Sequence, residues 1–199
     1  MYNFTNDWFN YHKYIWDSLI NDLNPSKVLE IGSFEGASAC YLIDKISKKE
    51  NSELICVDLW PWEEVEKRFD ENINKCLMKS FDKISFQKKK GHSHKIMAEL
   101  LVNNKENYFD LVYVDGSHTA DDVIFDACFA FKLCRPGGII IFDDYLWPVV
   151  KKLPLEKKPK MAIDAFTNIF HDKITIIQKS LYQLYVVKNL EEKNHKKTH

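Results

Sequence analysis

Short apolar runs that alternate with longer stretches of helical periodicity constrain this chain more than any single residue does. The runs fall at residues 27–31, 54–57, 84–88, 109–114 and 139–142, each of strand length and all but 84–88 mostly apolar. Strands that are apolar on both faces need cover on both faces. Helices between them supply it and make the strands parallel neighbours. Helices are predicted over residues 7–23, 36–46, 63–79, 93–102, 119–134 and 161–170. In the first, Trp8, Tyr11, Ile15, Leu19 and Leu23 recur at helical spacing before Asn24-Pro25 ends it. Thr119 is placed as an N-cap ahead of Asp121 and Asp122. Arg135-Pro136-Gly137-Gly138 is expected to stop that helix and turn the chain tightly into the fifth strand. Two further strands, 174–178 and 182–187, lie a few residues apart and should pair as an antiparallel hairpin. The expected class is α/β: a three-layer sandwich around a mostly parallel seven-stranded sheet with an antiparallel C-terminal edge hairpin.

A chain of 199 residues can close one sizeable core and little more. One domain is therefore expected over residues 1–190, with the polar stretch 191–199 as a disordered tail. Lys plus Arg number 28 against 29 Asp plus Glu, and the net charge of -1 offers no field for a phosphate backbone or an anionic membrane. Neither a nucleic acid nor a membrane is expected as a partner, and no apolar run approaches the ~20 residues of a span. The cysteines Cys40, Cys56, Cys76, Cys128 and Cys134 include no Cys-x-x-Cys pair and read as reduced, mostly buried thiols. The first residues lack a basic, apolar leader, so a cytoplasmic location is expected.

Ligands of an open parallel sheet bind beyond the carboxyl ends of its strands, so the residues after each run carry the functional information. Around the first run the sequence reads Val28-Leu29-Glu30-Ile31-Gly32-Ser33-Phe34-Glu35-Gly36. Gly32 and Gly36 let backbone N–H groups and a helix N-terminus approach a ligand, and the Glu30 carboxylate suits an amino group better than a phosphate. Asp58 ends the second run, where an acid accepts hydrogen bonds from a ribose diol. Leu59, Trp60 and Trp62 follow, and the tryptophans either wall an adenine or anchor a loop. Phe34 stands where the dinucleotide fingerprint needs glycine, and no Gly-Lys-Ser or Gly-Lys-Thr loop occurs, so NAD and nucleoside triphosphates fit poorly.

The acid-x-Gly-x-x-x-Gly motif, the acid after strand two, Gly91-His92-Ser93 after strand three, Pro136-Gly137-Gly138 before strand five and the final hairpin come in order. Together they resemble the class I S-adenosylmethionine-dependent methyltransferases over nearly the whole chain. The resemblance implies a Rossmann-like fold and S-adenosylmethionine as cofactor. It implies that Glu30, Gly32, Ser33, Phe34, Gly36, Asp58, Leu59, Trp60, Gly91, His92, Ser93 and Asp115 bind it.

Asp115-Gly116-Ser117-His118 follows the fourth run and Asp143-Asp144-Tyr145 the fifth. On neighbouring strands these three carboxylates would converge, a like-charge cluster that a cation relieves, and all-oxygen ligands suit Mg2+ or Mn2+ rather than zinc. The structural alternative has Asp143 capping a helix and Asp144 solvated. The arrangement resembles the metal-dependent small-molecule O-methyltransferases of the catechol and macrolide-sugar types. That resemblance implies Asp115, Asp143 and Asp144 as metal ligands and His118 as general base. The catechol type has Asn as the second member of the pair, so Asp144 points towards the sugar branch. His92 and His94 are further candidates nearer the adenine side.

The expected function is transfer of a methyl group to a hydroxyl of a small-molecule acceptor, sugars included. The alternatives are a metal-independent methyltransferase and a binding module without catalysis. Tyr145 and Trp147 are expected to line an acceptor pocket. Lys151, Lys152, Lys157, Lys158 and Lys160 are expected to be solvated, as are Lys88, Lys89 and Lys90. The aromatic N-terminus, from Tyr2 and Phe4 to Trp16, is expected to fold over the cofactor, to help form a homo-oligomer, or to pack on the sheet.

Overall fold

Side chains of a strand point alternately to its two faces, and in the central strands of this protein both sets are buried. A computed structural model describes residues 2–80, 84–146, 154, 157–179 and 182–190. Its strands are β1 (Lys27–Ile31), β2 (Ser52–Asp58), β3 (Ile84–Lys90), β4 (Phe109–Val114), β5 (Cys134–Phe142), β6 (Ile174–Ile177) and β7 (Leu184–Lys188). They form one seven-stranded sheet in the order β3-β2-β1-β4-β5-β7-β6. The pairs from β3 through to β5 are parallel, and β7 runs antiparallel to both β5 and β6.

The helices are α1 (Lys13–Leu23), α2 (Ala37–Ile46), α3 (Glu63–Leu77), α4 (Ser93–Val102), α5 (Ala120–Leu133) and α6 (Pro159–Ile169). Leu29, Ile31, Val112, Val114, Ile140 and Phe142 join the core under α4, α5 and α6. Their strand neighbours Val28, Leu111, Tyr113, Ile139 and Ile141 join the core under α1, α2 and α3. This is the two-faced burial that the apolar runs require.

Three expectations change. The first helix is split: a 3-10 turn at Trp8–Tyr11 precedes α1. The tighter turn puts Phe9 into the core, leaves Trp8 and Tyr11 exposed, and lets Trp16 and Ile20 join Ile15 and Leu19 on the buried face. The fifth strand begins at Cys134 directly after α5, with no separate turn, because Cys134 already pairs with Phe109 and a register shift before Leu111 absorbs Pro136 and the glycines. Gly138 belongs there for steric reasons: a Cβ would sit 2.7 Å from the Cys134 Sγ and 2.8 Å from the Asp110 carbonyl oxygen. Finally, β3 continues to Lys90, so Lys88 to Lys90 lie in an edge strand, where Lys88 pairs with Glu66 at 2.8 Å and Asp70 at 2.7 Å. Charged lysines on an edge also discourage pairing with a foreign strand.

Asn24 ends α1 in the left-handed conformation (φ 51°) just before Pro25, and Thr119 occupies the N-cap of α5. Among the described residues no helix is long and apolar enough to cross a membrane. Trp147, Lys151, Lys152 and the tail 191–199 lie outside the described residues.

Candidate active site

The strand order reverses between β1 and β4, and such a switch point opens a crevice at the carboxyl edge of the sheet. A cavity of about 1080 Å³ fills it, lined by the loops after β1, β2, β3, β4 and β5. That exceeds the roughly 300–1,000 Å³ of common ligand pockets and leaves room for a cofactor and a second molecule.

The floor is set by main chain. Gly32 N donates to the Val57 carbonyl at 2.8 Å, and Asp115 N donates to the Ile31 carbonyl at 2.7 Å. Gly32 has φ +84°, and a Cβ there would lie 1.9 Å from the Asp115 carbonyl oxygen. Only glycine fits where the turns after β1 and β4 press together. The Asp58 carboxylate organises two loops at once: Oδ2 accepts from the Ser33 and Phe34 amides at 2.9 Å each, and Oδ1 from the Trp60 amide at 2.7 Å.

Of the residues predicted to hold a cofactor, Gly32, Ser33, Phe34, Asp58, Leu59, Gly91, His92, Ser93 and Asp115 line this cavity. Three do not front it. Glu30 is fully buried beneath the turn, where its Oε2 accepts from Ser33 Oγ at 2.6 Å and its Oε1 has no hydrogen-bond partner among the described residues; burial pushes its carboxyl up. Gly36 starts α2 with φ +83° against Phe69. Trp60 is 1% exposed, packs against Phe69 with the rings tilted by 48° and donates its indole N–H to the Phe34 carbonyl at 2.9 Å. The wall expected of Trp60 falls to Trp62, its 62%-exposed neighbour, which lines the cavity with Leu59. Trp60 takes a positive φ of 38°, which turns its ring inward.

The N-terminal segment covers one side of the cavity, with Phe4, Asn6, Trp8, Tyr11 and His12 on its wall. Two side chains that the sequence did not single out pin it. Asn72 accepts from Asn3 N at 2.7 Å and donates back to the Asn3 carbonyl at 3.0 Å, as a strand neighbour would. Buried Glu35 accepts from Thr5 N at 2.7 Å and Thr5 Oγ1 at 2.9 Å and pairs with Arg68.

At the other end, β4 and β5 bring Asp115, His118, Asp143 and Asp144 together. Tyr113 donates to Asp115 Oδ2 at 3.0 Å and makes a very short hydrogen bond to Asp143 Oδ2. Asp143 also accepts from Gln183 Nε2 at 3.1 Å and from the Asp144 amide at 2.8 Å. One phenol proton serves two carboxylates, so among the described residues the cluster's negative charge is only partly relieved. Burial, then Asp143 and Asp144, push the Asp115 carboxyl well up; burial and Asp144 raise Asp143. His118 Nε2 lies 2.8 Å from Asp144 Oδ2, and that contact raises the imidazole's pKa.

The expected ligand trio is therefore arranged differently from its reading in sequence. Ligand atoms of Asp115, His118 and Asp144 lie within 4.8 Å of one another, while Asp143 is held back by Tyr113 and Gln183. Tyr145 does not front the cavity; its hydroxyl donates to Asp164 at 2.8 Å, and Lys160 sits over its ring. Tyr182 lines the cavity in its place, its ring 6.5 Å from that of His12.

Comparison with known proteins bears on the family and the fold. Residues 29–145 match the model of a family described as "Methyltransferase domain". A Dictyostelium discoideum protein named "Probable caffeoyl-CoA O-methyltransferase 2" is 27% identical over 128 residues, 64% of this chain and 51% of that protein. The chain spans between half and three fifths of the length of the curated relatives it matches. Among solved structures, an O-methyltransferase from Bacillus cereus in complex with SAH superposes with a TM-score of 0.66 at 18% identity, covering 92% of this chain and 83% of that one. MycE, a methyltransferase of the mycinamycin biosynthetic pathway in complex with Mg and SAH, superposes at 0.61 and 19% identity, covering 95% of this chain and 52% of that one. These structural likenesses speak to the fold. The family match runs from the third residue of the glycine motif's strand through the acid pair, over more than half of the sequence, and on that ground the chain belongs to the methyltransferase domain family.

Proposed function

We propose that this protein moves the methyl group of S-adenosylmethionine to a hydroxyl of a small molecule, with help from a divalent cation. The observation that carries the reading is one continuous cavity running from the Asp58 loop to the acid cluster of Asp115, Asp143 and Asp144. The B. cereus and MycE structures, in complex with SAH and in one case Mg, support it.

The residues fit both groups. The Asp58 carboxylate suits a ribose diol, the bare Gly32 turn admits a ligand against main chain, and Glu30 Oε1, without a partner among the described residues, leaves an acceptor under the turn that a cationic amino acid moiety would draw into its ionised form. Among the described residues the partners of the three acids are Tyr113, Gln183, the Asp144 amide and His118, so a cation has charge left to neutralise there. Asp115 and Asp144 would hold the ion, with Asp143 adding its charge from behind. S-adenosylmethionine would supply an electrophilic methyl group, and the ion would supply Lewis-acid stabilisation of an ionised hydroxyl. His118 accepts the hydroxyl proton on a ring nitrogen, and Asp144 orients the ring and raises its basicity. Tyr11, His12 and Tyr182 wall this end and suit an acceptor that carries its hydroxyl on a ring.

A second reading has its own observation: the His118 to Asp144 contact at 2.8 Å is a complete base and orienting pair without any metal. Calorimetry with S-adenosylhomocysteine and electron paramagnetic resonance with Mn2+ separate the two. The first reading expects binding of both probes, loss of Mn2+ binding in Asp144→Asn, and methyl transfer to catechol or caffeoyl-CoA that EDTA abolishes. Transfer that survives EDTA would establish the second reading, and absence of S-adenosylhomocysteine binding would end both.

A further inference from the structure

Asp126 sits where stability alone would not put a carboxylate. It lies on α5, 1% exposed, and its Oδ2 has no hydrogen-bond partner among the described residues. Such orphaned buried oxygens are rare enough in folded proteins to call for an explanation. Its Oδ1 accepts from Ser93 Oγ at 2.6 Å, and its Oδ2 lies 3.5 Å from the point where a Cβ would project from Gly116. Ser93 and Gly116 both line the cavity, whereas Asp126 stands behind them, joining the loop after β3 to the loop after β4.

A hydroxyl has one proton and two lone pairs. The Ser93 proton is committed to Asp126, and an ionised carboxylate has no proton to give back, so Ser93 faces the cavity with lone pairs. In the cofactor reading above, on which this inference rests, Asp58 takes the ribose and the acid cluster lies on the methyl side. The base is left with the side where Ser93 opens α4. We infer that Asp126 fixes the Ser93 hydroxyl as a hydrogen-bond acceptor for the exocyclic amino group of the cofactor's adenine, so that Asp126 selects the base through Ser93. A 6-amino base then meets lone pairs with a donor. A 6-oxo base meets them with another acceptor and is rejected. Asp126 is thereby a positioning residue.

The test is the ratio of dissociation constants for S-adenosylhomocysteine and S-inosylhomocysteine, measured by calorimetry at pH 8. The wild type should prefer the adenosine ligand by roughly 10- to 100-fold, the worth of one matched hydrogen bond against an unpaired acceptor. Ser93→Ala should bring the ratio close to one. Asp126→Asn should lower it as well, because its amide can donate to Ser93 and free the hydroxyl proton. Ser93→Thr, which keeps the hydroxyl, should retain the preference. If Asp126→Asn weakens both ligands by the same factor and keeps the wild-type ratio, Asp126 is merely structural and the inference is overturned. A wild type that binds both ligands equally overturns it too and leaves the cofactor reading standing. A wild type that binds neither removes the cofactor reading itself.

Discussion

A carboxylate buried against an unpartnered neighbourhood titrates unlike one on the surface, and burial pushes Asp126 up to about 6 from the ordinary 3.8. Its folded form holds a proton more tightly than its unfolded form. The stability it contributes is therefore full below about pH 4 and is lost as pH rises towards and past 6, by about 3 kcal/mol in all. Asparagine carries no such penalty. We expect Asp126→Asn to unfold at a higher temperature than the wild type at pH 8, with the gap closing by pH 4.5 in parallel calorimetric scans. A variant less stable at pH 8 would show that the carboxylate braces the fold. Residues of this kind were partly legible in sequence. Gly32, Asp58 and Asp115 follow strand ends and could be placed by counting. Trp60 and Trp62 could not be told apart, because a single positive φ decides which ring enters the core. Asp126 reads as one more polar residue of an amphipathic helix until its partner, 33 positions away, is known.

At the scale of elements, the N-terminal segment is held chiefly by side chains that imitate a strand. Asn72 exchanges two hydrogen bonds with Asn3 and gives a third, at 3.0 Å, to the Glu35 carbonyl. Each such bond is worth about 1 kcal/mol net, so the segment has enough to stay closed and little enough to open. Asn72→Ala should leave the fold intact and speed release of S-adenosylhomocysteine by roughly tenfold, following the loss of one to two such bonds. Stopped-flow measurement checks this, and an unchanged release rate would show that the segment does not guard the cavity. The strands and helices themselves were legible because their periodicity is strong. Their joints were less so. The split before α1 and the immediate passage from α5 into β5 both depend on tertiary partners, Phe9 in the core in one case and Phe109 across the ladder in the other.

At the scale of the molecule, the acid cluster is tied to the far ends of the chain. Trp16 of α1 donates to Gln183 Oε1 at 2.9 Å, and Gln183 in turn donates to Asp143. No sequence pattern announces Gln183, which lies between β6 and β7 and meets residues 167 and 40 positions away. A cation that relieves the cluster should stabilise everything it joins. Mg2+ or Mn2+ at about a hundred times its dissociation constant should add about 2.7 kcal/mol. That is a rise of roughly 5–10 °C in Tm for a chain of this size, absent in Asp115→Asn and Asp144→Asn. Equal melting with and without metal would speak for the metal-free base pair.

The contact between Gly32 and the Asp115 main chain has a consequence for how such a protein can diversify. Where a methyl group on residue 32 would go, the carbonyl of the turn after β4 already stands. The proposed seat of the cofactor and the proposed seat of the chemistry thus share one main-chain contact, and on that proposal neither can be remodelled without recasting the other. New acceptors have to be accommodated at the rim instead, by Tyr11, His12 and Tyr182, on segments that the central strands do not dictate.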